Sequence, residues 1–568
     1  MRFRNTCCVL MASLLWIDPA GLHAQEASSV FGEVVDVRVT SIDVVATDSK
    51  GNPVPGLTRA DFQIFEDGKP QEITNFSEVT STSTQAEVPA TPGQPAQAFV
   101  RPAAAARRYI FYIDNSTLSV KNRNEIFPAV EKFLADQVTA GDQVMIVSWN
   151  GSLQIRLPWT GDRAAIQTTL KTLSGELGGA GQLYAQKMRV ERMLHQLEAE
   201  AGDPKNMVTY EGVQADVRSY AEATRHDVAM SINGMVKLLT SLAGVEGKKV
   251  LVMATESLPT QAGAEMFQVL ENIRSRAAIS TTSSLADGAR RASPIGDLGK
   301  YNMSPMVETL ARAANAAGVT VYAINPQGTD NDNSGKVELQ QPGEESSTFT
   351  ASMQALDGVK ILAGRTGGSA MVGASAATAL QRLTADLSSY YSIGFRTHAG
   401  STPDRKVEVR SKREGVRVRY RTSIYYRSIE TEMTDRVIAN HLQSQVSNEL
   451  GISLQTDPVT TEGSRRLLPM RVVIPTDSLT LSPDAQGNMT GGFSVFTSAG
   501  DTKGGASGVN VQTHKIVWPA AQAAQMKGRR IGFAVQIPMD KNPKQISVGV
   551  VDMVSQTEGF ATVPVPAN

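Results

Sequence analysis

The sequence predicts a doubly wound α/β domain with β-rich segments on either side, and three observations carry that reading. Between Arg108 and about Pro326, the apolar runs YIFYID, QVMIVSW, KKVLVMAT and VTVYAIN are rich in β-branched and aromatic residues. Segments of helical spacing, such as RNEIFPAVEKFLADQV and MVETLARAANAAG, lie between them. Before and after this region the text changes to short alternating strands punctuated by turn pairs. Strands apolar on both faces, alternating with amphipathic helices, specify a parallel sheet covered on both sides.

A chain of 568 residues exceeds what one core usually organises, so roughly two to four domains are expected. Its 55 basic and 56 acidic residues leave no electrostatic footprint for nucleic acid. The first residues place Arg2 and Arg4 before an apolar run from Cys7 to Ile17 and small residues ending at Ala24. This pattern predicts a secretory signal peptide over 1–24 and an exported protein, periplasmic, at the cell surface or extracellular. The apolar run is shorter than the ~20 residues a spanning helix needs, and no other run reaches that length. Both cysteines, Cys7 and Cys8, fall in this leader, so the mature chain is expected to have no thiolate chemistry and no disulfide.

The elements follow in order. Residues 30–79 alternate apolar and polar positions and carry turn signals at Lys50-Gly51-Asn52-Pro53 and Glu66-Asp67-Gly68, which predicts a β-rich N-terminal module. Residues 80–107 are rich in Ser, Thr, Pro, Ala and Gln and predict a flexible linker. The α/β domain is expected over 108–428, with a helical insert at 182–243 whose Met, Leu and Val residues form a packing stripe. A polar loop follows at 327–353; the sheet is then expected to finish with ILAGRTGGSAMVG, a helix and the strand YYSIGF. Arginines alternate through RKVEVRSKREGVRVRYR, two strands around a turn at Glu414-Gly415, and predict a solvated sheet face. From 431 to 568 a short helix precedes strand text that fits a β-sandwich-like domain.

The order of these pieces resembles the von Willebrand factor type A-related proteins of Acidobacteria and similar bacteria. The matching text is VVATDSKGNPVPGLTRADFQIFEDGKPQEITNFS, RYIFYIDNS, LAGRTGG and the closing YYSIGFR with VEVRSKREGVRVRYR, over Val34 to Tyr426. The resemblance implies a Rossmann-like sheet whose ligand site lies at the carboxyl ends of the strands, where a metal-ion-dependent adhesion site takes Mg²⁺ or another divalent cation. Its pattern is Asp-x-Ser-x-Ser after the first strand, a Thr from a following loop and an Asp after a later strand. Such a cation prefers oxygen ligands, so carboxylates, hydroxyls and water suit it.

This chain carries part of that set. Asp114 and Ser116 match the first two positions, whereas the third is Leu118, with Ser119 one residue late. Ala180 and Gly181 stand where the Thr is expected, and Thr255, Glu256 and Ser257 where the Asp is expected. Asp114, Ser116 and Glu256 are therefore the candidate ligands of a degenerate, weakly binding site. The alternative is that Asp114 or Ser116 caps the helix beginning near Asn122.

Catalytic grammar is absent from the sequence. His195, His226, His398, His441 and His514 are scattered, without a metal-binding His pair, a nucleophile elbow or a phosphate loop. The glycines of 175–181 lack the Gly-Lys-Ser/Thr of a P-loop, and Asp142 and Asp162 read as turn and cap residues. The sequence thus predicts a non-enzymatic adhesion or protein-interaction module with an unidentified protein partner and capacity for self-association. The alternative is a structural component of cell-envelope assembly with a vestigial metal site.

Overall fold

The structure, a computed structural model, describes residues 37–80, 84–87, 107–139, 141–176, 181–199, 209–279, 293–326, 356–398, 404–442, 446–462, 465–501, 505–539 and 543–565. The expected leader, most of the expected linker, Ala180 and the polar stretch at 327–353 lie outside the described residues.

Five strands come first: β1 (Val37–Thr47), β2 (Phe62–Glu66), β3 (Lys69–Gln71), β4 (Ile73–Thr80) and β5 (Thr84–Glu87). The turn expected at Asp67-Gly68 joins β2 to β3 as a two-residue hairpin, with φ of 48° and 80° at its two positions. Positive φ at both central residues matches the right-handed twist of the flanking strands.

The α/β unit follows. Its elements are β6 (Arg107–Asp114), α1 (Val120–Gln137), β7 (Gln143–Trp149), β8 (Leu153–Thr160), α2 (Arg163–Gly175), α3 (Gly181–Ala199) and α4 (Tyr210–Ser241). They continue as β9 (Lys248–Ala254), α5 (Ala264–Ile279), α6 (Ser304–Ala316), β10 (Val319–Asn325), α7 (Asp357–Arg365), β11 (Ser369–Val372) and α8 (Ala376–Ser388). The sheet order is β8-β7-β6-β9-β10-β11, and every neighbouring pair is parallel except β7 with β8. Successive side chains of β6 go to opposite faces, as strand geometry requires. Tyr109, Phe111 and Ile113 pack under α1, α2 and α8, whereas Ile110 and Tyr112 pack under α3 to α7. The doubly wound α/β fold is therefore the one the apolar runs specified.

The helical insert belongs to this core. Val190, Leu194 and Leu197 of α3 and Val213, Val217, Val228, Ile232 and Met235 of α4 are buried in the same cluster as the sheet face.

One expectation at the end of the unit is corrected. The parallel sheet ends at β11, and the strand expected to finish it, within β12 (Ser389–His398), pairs antiparallel with β1 and β4 instead. The two strands expected around Glu414-Gly415 form as β13 (Asp404–Ser411) and β14 (Arg417–Tyr420) and enter different sheets: β13 joins β2 and β15 (Ser423–Tyr425), whereas β14 joins β1. Two antiparallel sheets result, ordered β14-β1-β12-β4-β5 and β15-β13-β2-β3. Ile42, Val44, Phe62, Ile64, Phe76, Tyr391, Ile393, Phe395, Val407 and Val409 fill the space between them. This sandwich is built from both sides of the α/β unit in sequence.

The GRTGG stretch shows why glycine is needed where these parts meet. A Cβ on Gly368 would lie 1.9 Å from Val321 O, and one on Gly367, at φ +81°, would lie 2.7 Å from the Tyr420 carbonyl carbon. Real Cβ atoms do not approach backbone that closely, so the turn before β11 passes between β10 and β14 only without side chains.

The C-terminal part begins with α9 (Ile429–Ala439) and continues with β16 (Ser453–Thr456), β17 (Thr460–Glu462), β18 (Arg465–Pro475), β19 (Ser482–Pro483), β20 (Met489–Gly500) and β21 (Asn510–Trp518). A short α10 (Ala520–Met526) leads to β22 (Arg530–Pro538), β23 (Gln545–Asp552) and β24 (Glu558–Pro564). Two antiparallel sheets enclose a core that includes Leu468, Val472, Ile474, Phe493, Val495, Val535, Ile546 and Val548.

Candidate functional site

The chain order reverses between β6 and β9: β7 and β8 extend the sheet to one side of β6, while β10 and β11 extend it beyond β9. In an open α/β sheet this reversal opens a crevice at the carboxyl ends of the strands, because the following loops diverge. Asp114 ends β6 and Thr255 follows β9, so the two residues face each other across that crevice.

Asp114 is 4 % exposed and saturated with donors. Its Oδ1 accepts from Ser116 N at 3.1 Å and Ser116 Oγ at 2.7 Å. Its Oδ2 accepts from Thr117 Oγ1 and from Thr255 Oγ1, each at 2.8 Å. Burial raises the Asp114 carboxyl above its usual range, and the donors from Ser116, Thr117 and Thr255 pull against that shift. The loop itself is anchored: Asn115 N donates to Trp149 O at 2.9 Å, and the buried Arg123 of α1 donates to Asn115 Oδ1 and to Leu173 O.

Asp114 and Ser116 are thus brought together as the sequence suggested. Glu256 stands one step away. Its Oε1 accepts from Ser119 N at 2.7 Å and from Asn122 Nδ2 at 2.6 Å, placing a carboxylate on the first turn of α1. Ser119 is the N-cap, accepting from Asn122 N at 3.3 Å, so neither Asp114 nor Ser116 has the capping role considered for it. Leu118, where the family pattern has a hydroxyl, is 2 % exposed and packs in the core beneath α1.

Sequence reasoning missed Thr117, whose hydroxyl lies one residue from the expected position, and it noted Thr255 without placing it on Asp114. It also missed Asp227 on α4, a half-buried carboxylate raised first by burial and then by the charge of Asp114. One turn further along α4, Ser231 Oγ lies 3.1 Å from the Tyr112 hydroxyl, and burial raises that phenol well above its ordinary value. Among the described residues no group of three or more His, Cys, Asp or Glu side chains is arranged to hold a metal.

Asp162 caps α2 through Ala164 N and Ala165 N, and Asp142 accepts from Thr139 N and Arg107 N, the turn and cap roles expected of them.

No protein-family model matches the chain, and no curated protein matches it by sequence. Among solved structures, an aerotolerance-related membrane protein from Bacteroides fragilis is similar over 50% of this chain and 98% of its own, at 11% identity and a TM-score of 0.21. A mutant of the PilB minor pilin from Streptococcus sanguinis is similar over 61% and 86%, at 10% identity and a TM-score of 0.25. The three N-terminal domains of the type V pili tip protein Mfa5 from Porphyromonas gingivalis are similar over 95% and 79%, at 9% identity and a TM-score of 0.24. Scores this low carry no argument, and the fold assignment rests on strand order and register.

Proposed function

We propose that this chain is an exported, non-catalytic interaction module that docks a protein partner on the carboxyl edge of its parallel sheet. The observation that carries the reading is the crevice between β6 and β9, which presents one anchored carboxylate ringed by the hydroxyls of Ser116, Thr117 and Thr255. Val120, 72 % exposed at the first position of α1, gives this edge an apolar contact beside its polar centre. Thr117 and Thr255 both donate to the Asp114 carboxylate, and among the described residues no histidine accepts from either hydroxyl to activate it as a nucleophile.

The donor set fits a hard divalent cation in chemistry, being all oxygen. Asp114 and Ser116 would hold it, with Glu256 adding negative charge at the rim. Mg²⁺ bound there would leave a position for a carboxylate of the partner. Binding is expected to be weak, because a cation must displace hydroxyl donors already seated on Asp114.

Calorimetric titration of Mg²⁺ and Mn²⁺ into the mature chain, beside Asp114→Ala, tests the cation. Saturable binding in the wild type that is lost in the variant is expected; no binding in either would remove the metal from this reading. A second reading, self-assembly within the envelope, is favoured by the exposed Val517, Met553 and Val554 of the C-terminal sandwich. Light scattering of the same sample decides it, since large assemblies would support that reading and a monomer would oppose it.

A further inference from the structure

The C-terminal sandwich has two long edge strands along one side. Among the described residues β21 pairs with β20 alone, over its nine residues from Asn510 to Trp518, and β22 pairs with β18 alone, also over nine. The two edges lie together, since the rings of His514 on β21 and Phe533 on β22 stand 4.8 Å apart between the sheets. An edge presents a row of free N–H and C=O groups, and folded chains blunt it with short strands, proline, bulges or cover. The other edges are blunted in these ways: β3, β5, β11, β14, β15, β16, β17 and β19 have four residues or fewer. β8 carries Pro158 and shifts of register, and Ser447 and Leu450 bond to the backbone of β24. β21 has no proline, no shift of register and one charged residue, Lys515.

The outer face of this edge is apolar at one end and preorganised there. Thr513, Lys515 and Val517 alternate on it and are all exposed, Val517 at 59 %. Beside them Met553 and Val554, also exposed, sit on a fixed turn: the buried Asp552 carboxylate accepts from Val554 N at 2.7 Å, Ser555 N at 2.8 Å and Thr480 N at 2.7 Å. Met553 N donates to Gly492 O at 2.9 Å, and Gly492 is the residue of β20 opposite Lys515, so the turn borders the exposed row. Apolar side chains already held in place lose little freedom on docking.

We propose that β21 pairs antiparallel with β21 of a second copy, centred on His514, so that the sheet continues from one sandwich into the other. A two-fold axis normal to the sheet keeps each face continuous, and strand alternation then requires it to fall between two copies of the same residue. Centred on His514 the pairing uses the whole strand and sets the outer row against itself: Val517 faces Val511 of the second copy, and Lys515 faces Thr513 of the second copy. A centre at Lys515 would oppose two ammonium groups, which is destabilising. Among the described residues no carboxylate pairs with Lys515, so its charge rejects that register and leaves the one on His514. The two imidazoles meet at the centre uncharged near neutral pH, because burial holds each below its ordinary value. This inference rests on the self-association reading, to which it gives a surface, and is independent of the crevice.

Sedimentation equilibrium of the full mature chain, beside Thr513→Lys, Thr513→Glu and Asp114→Ala, tests it. A wild-type dimer is expected. Thr513→Lys sets an ammonium opposite Lys515 twice in each dimer and is expected to weaken dimerisation roughly tenfold, whereas Thr513→Glu is expected to strengthen it by a similar factor. Position 513 is exposed, so both variants are expected to keep the wild-type circular dichroism spectrum. Asp114→Ala is expected to dimerise as the wild type does, which separates this result from the crevice. A monomeric wild type overturns the proposal together with the self-association reading. Association that is indifferent to the charge at 513 overturns the proposal alone and assigns self-association to another surface.

Discussion

At the scale of residues, the carboxyl edge shows how one carboxylate can be fixed by short local contacts. Asp114 ties its own loop through Ser116 and reaches across the switch point through Thr255, so its geometry depends on both strands ending in register. The motif Asp-x-Ser was legible in the sequence, because spacing alone puts both residues on one turn. The partners Thr117 and Thr255 were not, since their roles depend on β6 and β9 being neighbours although about 140 residues apart in sequence. Glu256 was readable as a carboxylate near the edge, but its use as a second cap on α1 follows from a side chain long enough to reach past Asp114 to Ser119 N. Glu256→Ala is therefore expected to cost about 1–2 kcal/mol in denaturant unfolding, the range for a lost cap with a charged acceptor. An unchanged midpoint would show that Ser119 alone caps α1.

At the scale of elements, the strongly apolar strands were legible and the half-buried ones were not. β8 escaped the sequence reading because, as an edge strand carrying Pro158, it has one buried residue, Trp159, and no clear alternation. The alternating arginines of β13 and β14 looked solvated, yet Arg405 makes a buried 3.0 Å pair with Glu66, and Arg419 reaches Asp386 at 2.6 Å. Those partners belong to distant elements, which periodicity cannot show. The turn after α9 carries a pH-sensitive contact. His441 is 1 % exposed, its Nδ1 faces Gln545 Nε2 at 3.2 Å, and its Nε2 lies 3.3 Å from Ser498 Oγ. The Gln545 amide also donates to His441 O at 2.9 Å, so a proton on Nδ1 would oppose an N–H already held in place. Burial brings this imidazole down to about 4, with Asp501 pulling weakly the other way. The unfolded chain takes up the proton near 6.5 and the folded chain near 4, so stability is lost as pH falls through that window, by about 3 kcal/mol at most. Thermal unfolding at pH 7 and pH 4.5 should show a larger loss for the wild type than for His441→Gln. Equal losses would mean that His441 is not the group responsible.

At the scale of the whole molecule, the N-terminal strands and the strands after α8 share one sandwich, and the α/β unit is strung between them. The sequence showed β-rich text on both sides of the α/β unit but not that these strands pair with one another, because partner choice among alternating strands is set by packing. The consequence is a body whose two sheet edges are separated in role: the amino edge is bound to the sandwich strands through the Lys248–Asp43 pair and through Arg427 on Ala243 O, and the carboxyl edge around Asp114 is left to the crevice. Among the described residues no helix is long and apolar enough to cross a membrane. The central claim is that the carboxyl edge docks a protein. Its most direct test immobilises the mature wild type, Asp114→Ala and Val120→Asp, and compares what each retains from the envelope and extracellular proteins of the source cells, in Mg²⁺ and in a chelator. The account predicts proteins retained by the wild type in Mg²⁺ and lost from both variants. Retention of the same proteins by all three, or of none by the wild type, would contradict it.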